Sequence, residues 1–338
     1  MGAAKGGNLG TLRVGLEMPT KEFEKDIDKA GKELTTFEKD TKQKMMRTGA
    51  ALLGVGAAVT AGVGIAVKQF ATFEKSMKNV QAISGATQEE YKKLSQFAKD
   101  MGRDTAFSAV EAADGLYFLA SAGLSVDEQM MATKGILDLA AATQSDLAAA
   151  SQVTVTTLSA FNLEADQAAK VGDTFAKAIS TSQATLSKLS TALPFTATLF
   201  DSLGWSVEQN VGALSLLFDK GLDASTAATQ LRTAIKGLLD PTKKVMEGLE
   251  GLGLTIEDVN PATKSLVEIV GAFERVGLDA ASAAQIFGKR GDAMSILAKT
   301  GAARLQVFTT ALEDSGGAAK TMADIQLEGL SGALTILK

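Results

Sequence analysis

Side chains that could perform chemistry at neutral pH are scarce in this sequence. Its 338 residues include no His and no Cys, the residues that supply most protein metal ligands and most activated nucleophiles or bases. Structural zinc sites, cysteine proteases and Ser-His-Asp hydrolases are therefore excluded, because each needs an imidazole or a thiolate. Disulfide bonds are excluded too, and the absence of Cys fits both a cytosolic origin and an assembly that persists outside the cell.

Carboxylates, hydroxyls and lysines remain as candidate reactive groups. Most of the 39 Asp and Glu residues fall on polar helix faces or at helix starts, where solvation or capping accounts for them. A paired-acid glycosidase and a Ser-Lys dyad need only such residues, but no local signature of either occurs. The glycines at 54, 56, 62 and 64 are followed by Val where a dinucleotide-binding loop needs its last Gly. The sequence therefore predicts no catalytic residue, no metal site and no cofactor.

Composition and charge indicate a structural protein. The net charge of −5 and the lack of a strong basic patch indicate no specific nucleic-acid binding, since affinity for phosphates comes largely from clustered Lys and Arg. Apolar residues make up 46% of the chain but aromatic residues only 5%, so the core is built from small side chains that need close helix contact. The N-terminal ten residues show no signal-peptide pattern, which predicts synthesis in the cytoplasm.

The first 47 residues divide into an arm and a charged helix. Apolar residues alternate with others from Leu12 to Met18, which predicts one short strand within an N-terminal arm at residues 1–19. Residues 20–47 have apolar positions at steps of three and four, typical of an amphipathic helix. This helix packs either on its own domain or in a self-associating coiled coil. The candidate seam of that coiled coil consists of Phe23, Ile27, Leu34 and Phe37.

Residues 48–69 are predicted to form an apolar Gly/Ala helix. No charged residue occurs between Thr48 and Val67, a length that matches a membrane span of about 20 residues. A stripe of small residues recurs every fourth position and would let helix backbones approach closely; it consists of Ala50, Gly54, Ala58, Gly62 and Ala66. So much Gly and Ala makes the hydrophobicity marginal for insertion. Helix packing or conditional membrane entry is therefore favoured over a permanent transmembrane helix.

Residues 70–338 have the pattern of successive capped helices. Capping boxes, in which Ser or Thr precedes Glu or Gln by three residues, occur at Thr87/Glu90, Ser108/Glu111, Ser125/Glu128 and Ser206/Gln209. No Pro lies between Pro19 and Pro194, so only glycine turns interrupt helix formation there. The predicted fold is all-α: helical hairpins in a bundle-like core, preceded by the long amphipathic and apolar helix and the one short strand.

A weak internal repeat lies within this core. The segment Ser121–Val126 (SAGLSV) recurs 81 residues later as Ser202–Val207 (SLGWSV), with a looser echo at Gly251–Ile256 (GLGLTI). Each copy is typical of a helix that ends in a Gly turn and is followed by a capped, returning helix. We therefore predict a duplicated helical hairpin at about 105–160 and 186–240. The alternative explanation is chance recurrence of a common turn. Its candidate turn or interface residues are Gly123, Gly204 and Trp205, the last as a packing residue or an interface anchor.

Several segments between Phe73 and Gly288 form one ordered pattern: Phe73–Val80, Leu94–Gly102, Thr105–Ala113, Leu119–Gly123, Leu137–Ala142, Asp146-Leu147, Gly221–Thr226 with Leu231-Arg232, Pro241 and Ile286–Gly288. In order and spacing, these segments resemble the core region of bacteriophage tail tape measure proteins. The resemblance extends from about Phe70 to the C-terminus. The Gly/Ala segment before it is similar to one common upstream of that core, and the family offers no catalytic residues to assign.

The resemblance implies a structural virion protein in the tail lumen, made in the host cytoplasm. Such a protein is assembled in several copies, sets tail length during assembly and leaves the tube before DNA passes. Its implied partners are further copies of itself, the tail tube protein, tail assembly chaperones and baseplate or tail tip proteins, together with the host membrane during DNA ejection. Capped hairpins fit poorly with a uniform ruler, and the apolar pattern at Leu330–Lys338 lacks a C-cap, so we expect a fragment of a longer chain.

Two other classes of protein fit the same residues. One is the tape measure of a contractile injection particle or gene transfer agent, which neighbouring genes rather than this sequence would distinguish from that of a phage. The other is a membrane-associated helical pore-forming protein. A pore-forming domain of the colicin type would need an apolar hairpin about twice as long as the single apolar segment present.

Overall fold

The computed structural model describes residues 55–288 and 291–328, with side chains described from residue 68 onward. The chain divides into two compact units, 1–66 and 67–338, and the packing described below is that of the second. Several sequence-based predictions lie outside the described residues: the N-terminal strand, the coiled-coil seam at Phe23, Ile27, Leu34 and Phe37, and the small residues Ala50 and Gly54. Ala58, Gly62 and Ala66 fall within a helix whose side chains are not described there.

The predicted all-α fold is confirmed, since the described residues form helices and no strand. The first half contains α1 (Val55–Ser84), α2 (Gln88–Asp104), α3 (Ala109–Ser121), α4 (Val126–Thr143), α5 (Leu147–Ala160), a 3₁₀ turn (Ala165–Gln167) and α6 (Ala168–Thr181). The middle contains α7 (Leu186–Ser202), α8 (Val207–Asp219), α9 (Ala224–Leu239), α10 (Lys243–Glu250) and α11 (Ile256–Val259). The last part contains α12 (Leu266–Arg275), α13 (Ala280–Phe287), α14 (Asp292–Thr300), α15 (Ala302–Glu313) and α16 (Ala318–Leu327).

Local side-chain caps fix where many of these helices begin. All four predicted capping boxes are present, at the starts of α2, α3, α4 and α8. At α2 the backbone N–H of Glu90 donates to Thr87 Oγ1 at 3.3 Å, and the N–H of Thr87 donates to Glu90 Oε2 at 2.8 Å. The same arrangement starts α12 at Ser265 and Glu268. Each cap satisfies backbone donors that the first helical turn leaves unpaired.

One type of turn joins seven pairs of successive helical segments in the described residues. Each turn has a residue in the left-handed region, and the N–H of the next residue donates to the carbonyl five positions earlier, as in a Schellman motif. The N-cap of the next helical segment lies two residues after the left-handed residue, so each connection is short. The left-handed residues are Gly123, Gln144, Asn162, Gly204, Gly221, Gly253 and Gly277.

Two features of the helices differ from simple sequence expectations. Pro194 lies inside α7 rather than at its end, although a proline removes one helical hydrogen bond. The membrane-span interpretation of residues 48–67 finds no support: none of the helices in the described residues combines the length and apolar character that a bilayer crossing requires. The physical reason is the composition of α1. Its many Gly and Ala residues contribute little hydrophobicity, and Lys68 places a charge within the helix.

The core consists of helix faces that carry mainly small and branched residues, with a few large side chains among them. The largest fully buried side chains include Phe175, Phe200, Phe218 and Phe273. Some helix pairs approach through glycine. A Cβ placed on Gly135 of α4 would meet the backbone of Ala169 in α6, 2.7 Å from its nitrogen. The fold therefore relies on close helix contact, as the aromatic-poor composition predicts.

Candidate docking site

The helices around the two sequence repeats have the same local arrangement. In α3–α5 and again in α7–α9, the first helix packs most extensively on the third, and the second helix contacts both. The connecting turns correspond as well. The N–H of Leu124 donates to the carbonyl of Leu119 at 3.3 Å, and the N–H of Trp205, 81 residues on, donates to that of Phe200 at 2.9 Å.

We call helices α3–α5 the first unit and helices α7–α9 the second unit. A buried amide occupies the same position in each. Gln129 and Asn210, also 81 residues apart, follow the capping Ser by four positions and are both fully buried. Gln129 Nε2 donates to the carbonyl of Leu124 at 2.8 Å. Asn210 Oδ1 accepts from Thr196 Oγ1 at 2.9 Å. Each amide therefore ties the second helix of its unit to the turn or helix that precedes it through one polar atom, while Gln129 Oε1 and Asn210 Nδ2 are buried without a hydrogen-bond partner among the described residues.

An ion pair at the start of the second helix also occurs in both units. Asp127 pairs with Lys93 of α2 on the surface, whereas Glu208 pairs with Lys170 of α6 at 3.3 Å. The Glu208 side chain is only 6% exposed, so removal of Lys170 would leave a nearly buried charge unpaired. The second of these pairs therefore fixes α8 against α6 more firmly than the first fixes α4 against α2.

The turn residues predicted from sequence lie at one end of this region, on either side of residues 159–165. Gly123 borders a cavity of about 200 Å³ that also touches Leu163. Gly204 and Trp205 border a cavity of about 260 Å³ that touches Leu163 from the other side. Trp205 is only 6% exposed and packs edge to face on Phe200, with ring centroids 5.1 Å apart. Trp205 therefore packs on Phe200 within the chain. Its role as an interface anchor stays a prediction.

A larger open hollow of about 630 Å³ runs between α3, α5 and α7. We call it, with its continuation of about 290 Å³ beside Asp114 and Tyr117, the central groove, because Phe118 lines both parts. The side chains of α5 that line its floor are small or polar: Ala148, Gln152, Thr156 and Ser159. Of these, Gln152 and Ser159 are exposed, whereas Ala148 and Thr156 are half-buried. The central groove is therefore an open surface hollow rather than an enclosed ligand pocket.

Charge and exposed aromatic groups distinguish the central groove. Its charged lining residues are Asp114 and Asp201, and no Lys or Arg lines it. Tyr117 at one end is 38% exposed, and Phe195, next to the lining residue Pro194, is 41% exposed. Sequence reasoning missed these two aromatic residues, because their spacing alone does not tell a core position from a surface position. Exposed aromatic groups near a groove are typical of protein interfaces.

The carboxylates elsewhere in the described residues serve structure. Hydrogen bonds from the capping residues hold the pKa of Glu90, Glu128 and Glu268 below the usual value for Glu. Burial raises the pKa of Asp138 on α4, although nearby lysines oppose this. No group of three or more acidic residues among the described residues is placed to hold a metal ion.

The fold of the described residues defines a class: an all-helical, bundle-like protein. The chain belongs to the phage-related minor tail protein family, which matches residues 95–290. It is 35% identical over 306 residues to the tape measure protein of Pneumococcus phage Dp-1, covering 86% of this chain and 27% of that protein. It is 28% identical over 334 residues to the probable tape measure protein of Escherichia phage P2, covering 95% of this chain and 40% of that protein.

The resemblance to tape measure proteins is thereby confirmed. This chain spans about a quarter to two-fifths of the length of these two relatives. No solved structure matches it.

Proposed function

We propose that this chain acts as the core part of a tail tape measure protein, a non-enzymatic structural component of the virion. The observation that carries the proposal is similarity to two proteins bearing that name over 86% and 95% of this chain. In this role the chain is made in the host cytoplasm, is assembled in several copies in the tail lumen and leaves the tube before DNA passes. Its partners are further copies, the tail tube protein, tail assembly chaperones and baseplate or tail tip proteins.

The described helices suggest how length measurement is divided along the chain. A helix rises about 1.5 Å per residue, so only segments that run as extended helix translate residue number into length. Helices α2–α16 are short and pack on one another. We therefore propose that this compact region is a packing body, and that the ruler consists of extended helical segments outside it.

The experiment that tests the ruler changes the length of such a segment in a phage that carries the full gene. Residues 20–47, predicted to be one amphipathic helix, are deleted in one variant and duplicated in frame in another. If this segment is extended along the tail, the first variant has tails about 42 Å shorter and the second about 42 Å longer by electron microscopy.

A length-neutral substitution, Gly237→Ala inside α9, is the control and should leave tail length unchanged. Infectious particles with normal tail length in both length variants would contradict a ruler role for residues 20–47. If the deletion prevents tail assembly, the duplication still gives the measurement.

A further inference from the structure

Charge is unevenly distributed along the compact region. Residues 67–103 carry seven Lys and Arg against four Asp and Glu, whereas residues 104–219 carry 13 Asp and Glu against four Lys. The first segment forms the last part of α1 and nearly all of α2, and the second holds α3–α8. Opposite charge on two regions of one chain is a basis for attraction between copies, because complementary potentials steer association.

The basic segment presents an exposed aromatic corner. Residues 68–72 of α1 are all exposed, and among them Phe70 is 55% exposed. Phe70 borders an open hollow of about 330 Å³ shared with Phe73, Tyr91, Lys92 and Lys99. We call these five residues the Phe70 corner. Lys99 lies over the Phe73 ring, 5.6 Å from its centroid. The only acidic residue lining the hollow is Glu74.

The central groove has the complementary properties. Its charged lining residues, Asp114 and Asp201, are acidic, and Tyr117, which also lines it, is exposed. The exposed lining residues that α5 contributes, Gln152 and Ser159, are uncharged. A helix bearing one aromatic side chain between lysines fits such a surface, since aromatic residues at the centre and charged residues at the rim are typical of protein interfaces.

The geometry of α1 determines whether the Phe70 that enters the central groove can come from the same copy of the chain or only from a second copy. Ser76 and Asn79 of α1 line one end of the central groove. Phe70 lies on the same helix, about 9 Å before Ser76 along its axis. A continuous helix cannot bend back to place Phe70 in a groove that its own next turns border. A second copy of the chain can bring Phe70 there without any such change.

We propose that the Phe70 corner of one copy docks into the central groove of a second copy. Such a contact is heterologous: each copy uses one surface to dock and offers a different surface to the next. Heterologous contacts build rings or open chains rather than closed dimers. This inference deepens the proposed self-association in the tail, but it rests on a contact that can be measured in solution without any phage.

The test uses the full 338-residue chain and two kinds of variant. The corner variant carries Phe70→Glu and Lys92→Glu, and the groove variant carries Asp114→Lys and Asp201→Lys. A second groove variant, Ser159→Trp, fills the floor without changing charge. The control, Val307→Glu with Lys299→Glu, removes an exposed apolar residue and a cation on α14–α15. Circular dichroism and thermal melting identify the variants that fold.

Sedimentation velocity then measures association over a concentration series. We expect the wild type and the control to form species larger than dimers, and each corner or groove variant alone to associate at least about tenfold more weakly, the loss of one interface anchor. The decisive sample is an equimolar mixture of a corner variant and a groove variant. One intact corner and one intact groove remain, so the mixture should give 1:1 dimers and nothing larger. High salt should weaken the contact.

Three results of the sedimentation experiment would overturn the proposal. They are a monomeric wild type at all concentrations, variants that associate as the wild type does, and mixed variants that stay monomeric although both are folded. Loss of duplex DNA binding by the corner variant, with self-association unchanged, would also overturn it and assign the corner to nucleic acid. None of these outcomes bears on the tail-length experiment, which stands or fails separately.

Discussion

The carboxylate of Asp173 accepts a hydrogen bond from the backbone N–H of Gly317, 144 residues further along the chain, at 2.8 Å. Its other oxygen accepts from the N–H of Ala319, also at 2.8 Å. Asp173 of α6 therefore caps the N-terminus of α16, which has only Gly317 at its own N-cap position. Gln144 Nε2 adds a bond to Gln326 Oε1 at 2.6 Å near the other end of that helix. The last described helix is thus joined to α4 and α6 by these polar contacts in addition to its close packing on both helices.

The first prediction is that Asp173→Ala loosens α16 without unfolding the rest. The buried residues of α16 are the small Ala319 and Ala323, so we expect the cap to add to the stability that its packing on α4 and α6 provides. Loss of a cap destabilises a helix by about 1 kcal/mol, which corresponds to roughly fivefold more frequent opening. Hydrogen exchange of the amides at 318–327 should accelerate by that factor. Asp166→Ala, in an exposed turn, is the control, and equal protection of α16 in both variants would argue against the remote cap.

The second prediction concerns the crossing of α4 and α6 at Gly135. A Cβ there would press on the backbone of Ala169, which cannot move aside as a side chain can. Gly135→Ala should therefore lower the free energy of unfolding by about 1 to 3 kcal/mol through overpacking, as measured by urea denaturation.

Gly237→Ala is the matched control for that substitution. Its added Cβ would sit 3.7 Å from Phe287, an ordinary contact, so the change should raise the free energy of unfolding by up to about 1 kcal/mol through helix propensity. Effects of the same sign in both variants would show that backbone propensity, not the close crossing, governs Gly135.

The third prediction tests whether the two turns are equivalent. Trp205 occupies the place that Leu124 has in the first unit, and it packs on Phe200. Trp205→Ala should lower the free energy of unfolding by about 3 to 5 kcal/mol, the usual result for removing a buried aromatic side chain. Trp205→Leu keeps an apolar group at the turn and should lose clearly less. Thermal melting of both variants makes the comparison, and an equal loss would mean that the second turn requires the indole specifically.

How far sequence could predict this structure depends on the distance over which each feature acts. A capping box acts over three residues, so Ser125 and Glu128 could be identified from the sequence alone. The Asp173 cap joins residues 144 apart, as the cap of Ala302 by Glu274 joins residues 28 apart, and no local pattern encodes either. The turns at Gln144 and Asn162 lack glycine, so the sequence signal for a left-handed backbone is weak at Asn162 and absent at Gln144.

The candidate docking site likewise combines features that local sequence predicts with features that depend on contacts between distant residues. Gly123 and Gly204 were predicted as turns because a repeated motif surrounds them. That both lie beside residues 159–165 follows from the packing of α3, α5 and α7, which sequence periodicity does not specify. The exposure of Tyr117 likewise depends on which helices leave its side uncovered.

The fourth prediction is an acid sensitivity that arises from the capping boxes. Hydrogen bonds lower the folded-state pKa of Glu90, Glu128 and Glu268, whereas an unfolded Glu titrates near about 4.3. As the pH falls, the unfolded chain binds protons first. The stability from these caps is therefore fully present above about pH 4.3 and is lost as the pH falls through the lower folded pKa values.

The capping box at Ser206 supplies the matched comparison, because its partner Gln209 makes the same hydrogen bonds without a titrating group. Changing the three glutamates to Gln should keep the caps and flatten the fall of melting temperature between about pH 5 and pH 3. Gln209→Glu should steepen it. If the triple variant and the wild type lose stability in parallel over that range, the acid sensitivity arises from carboxylates outside the capping boxes.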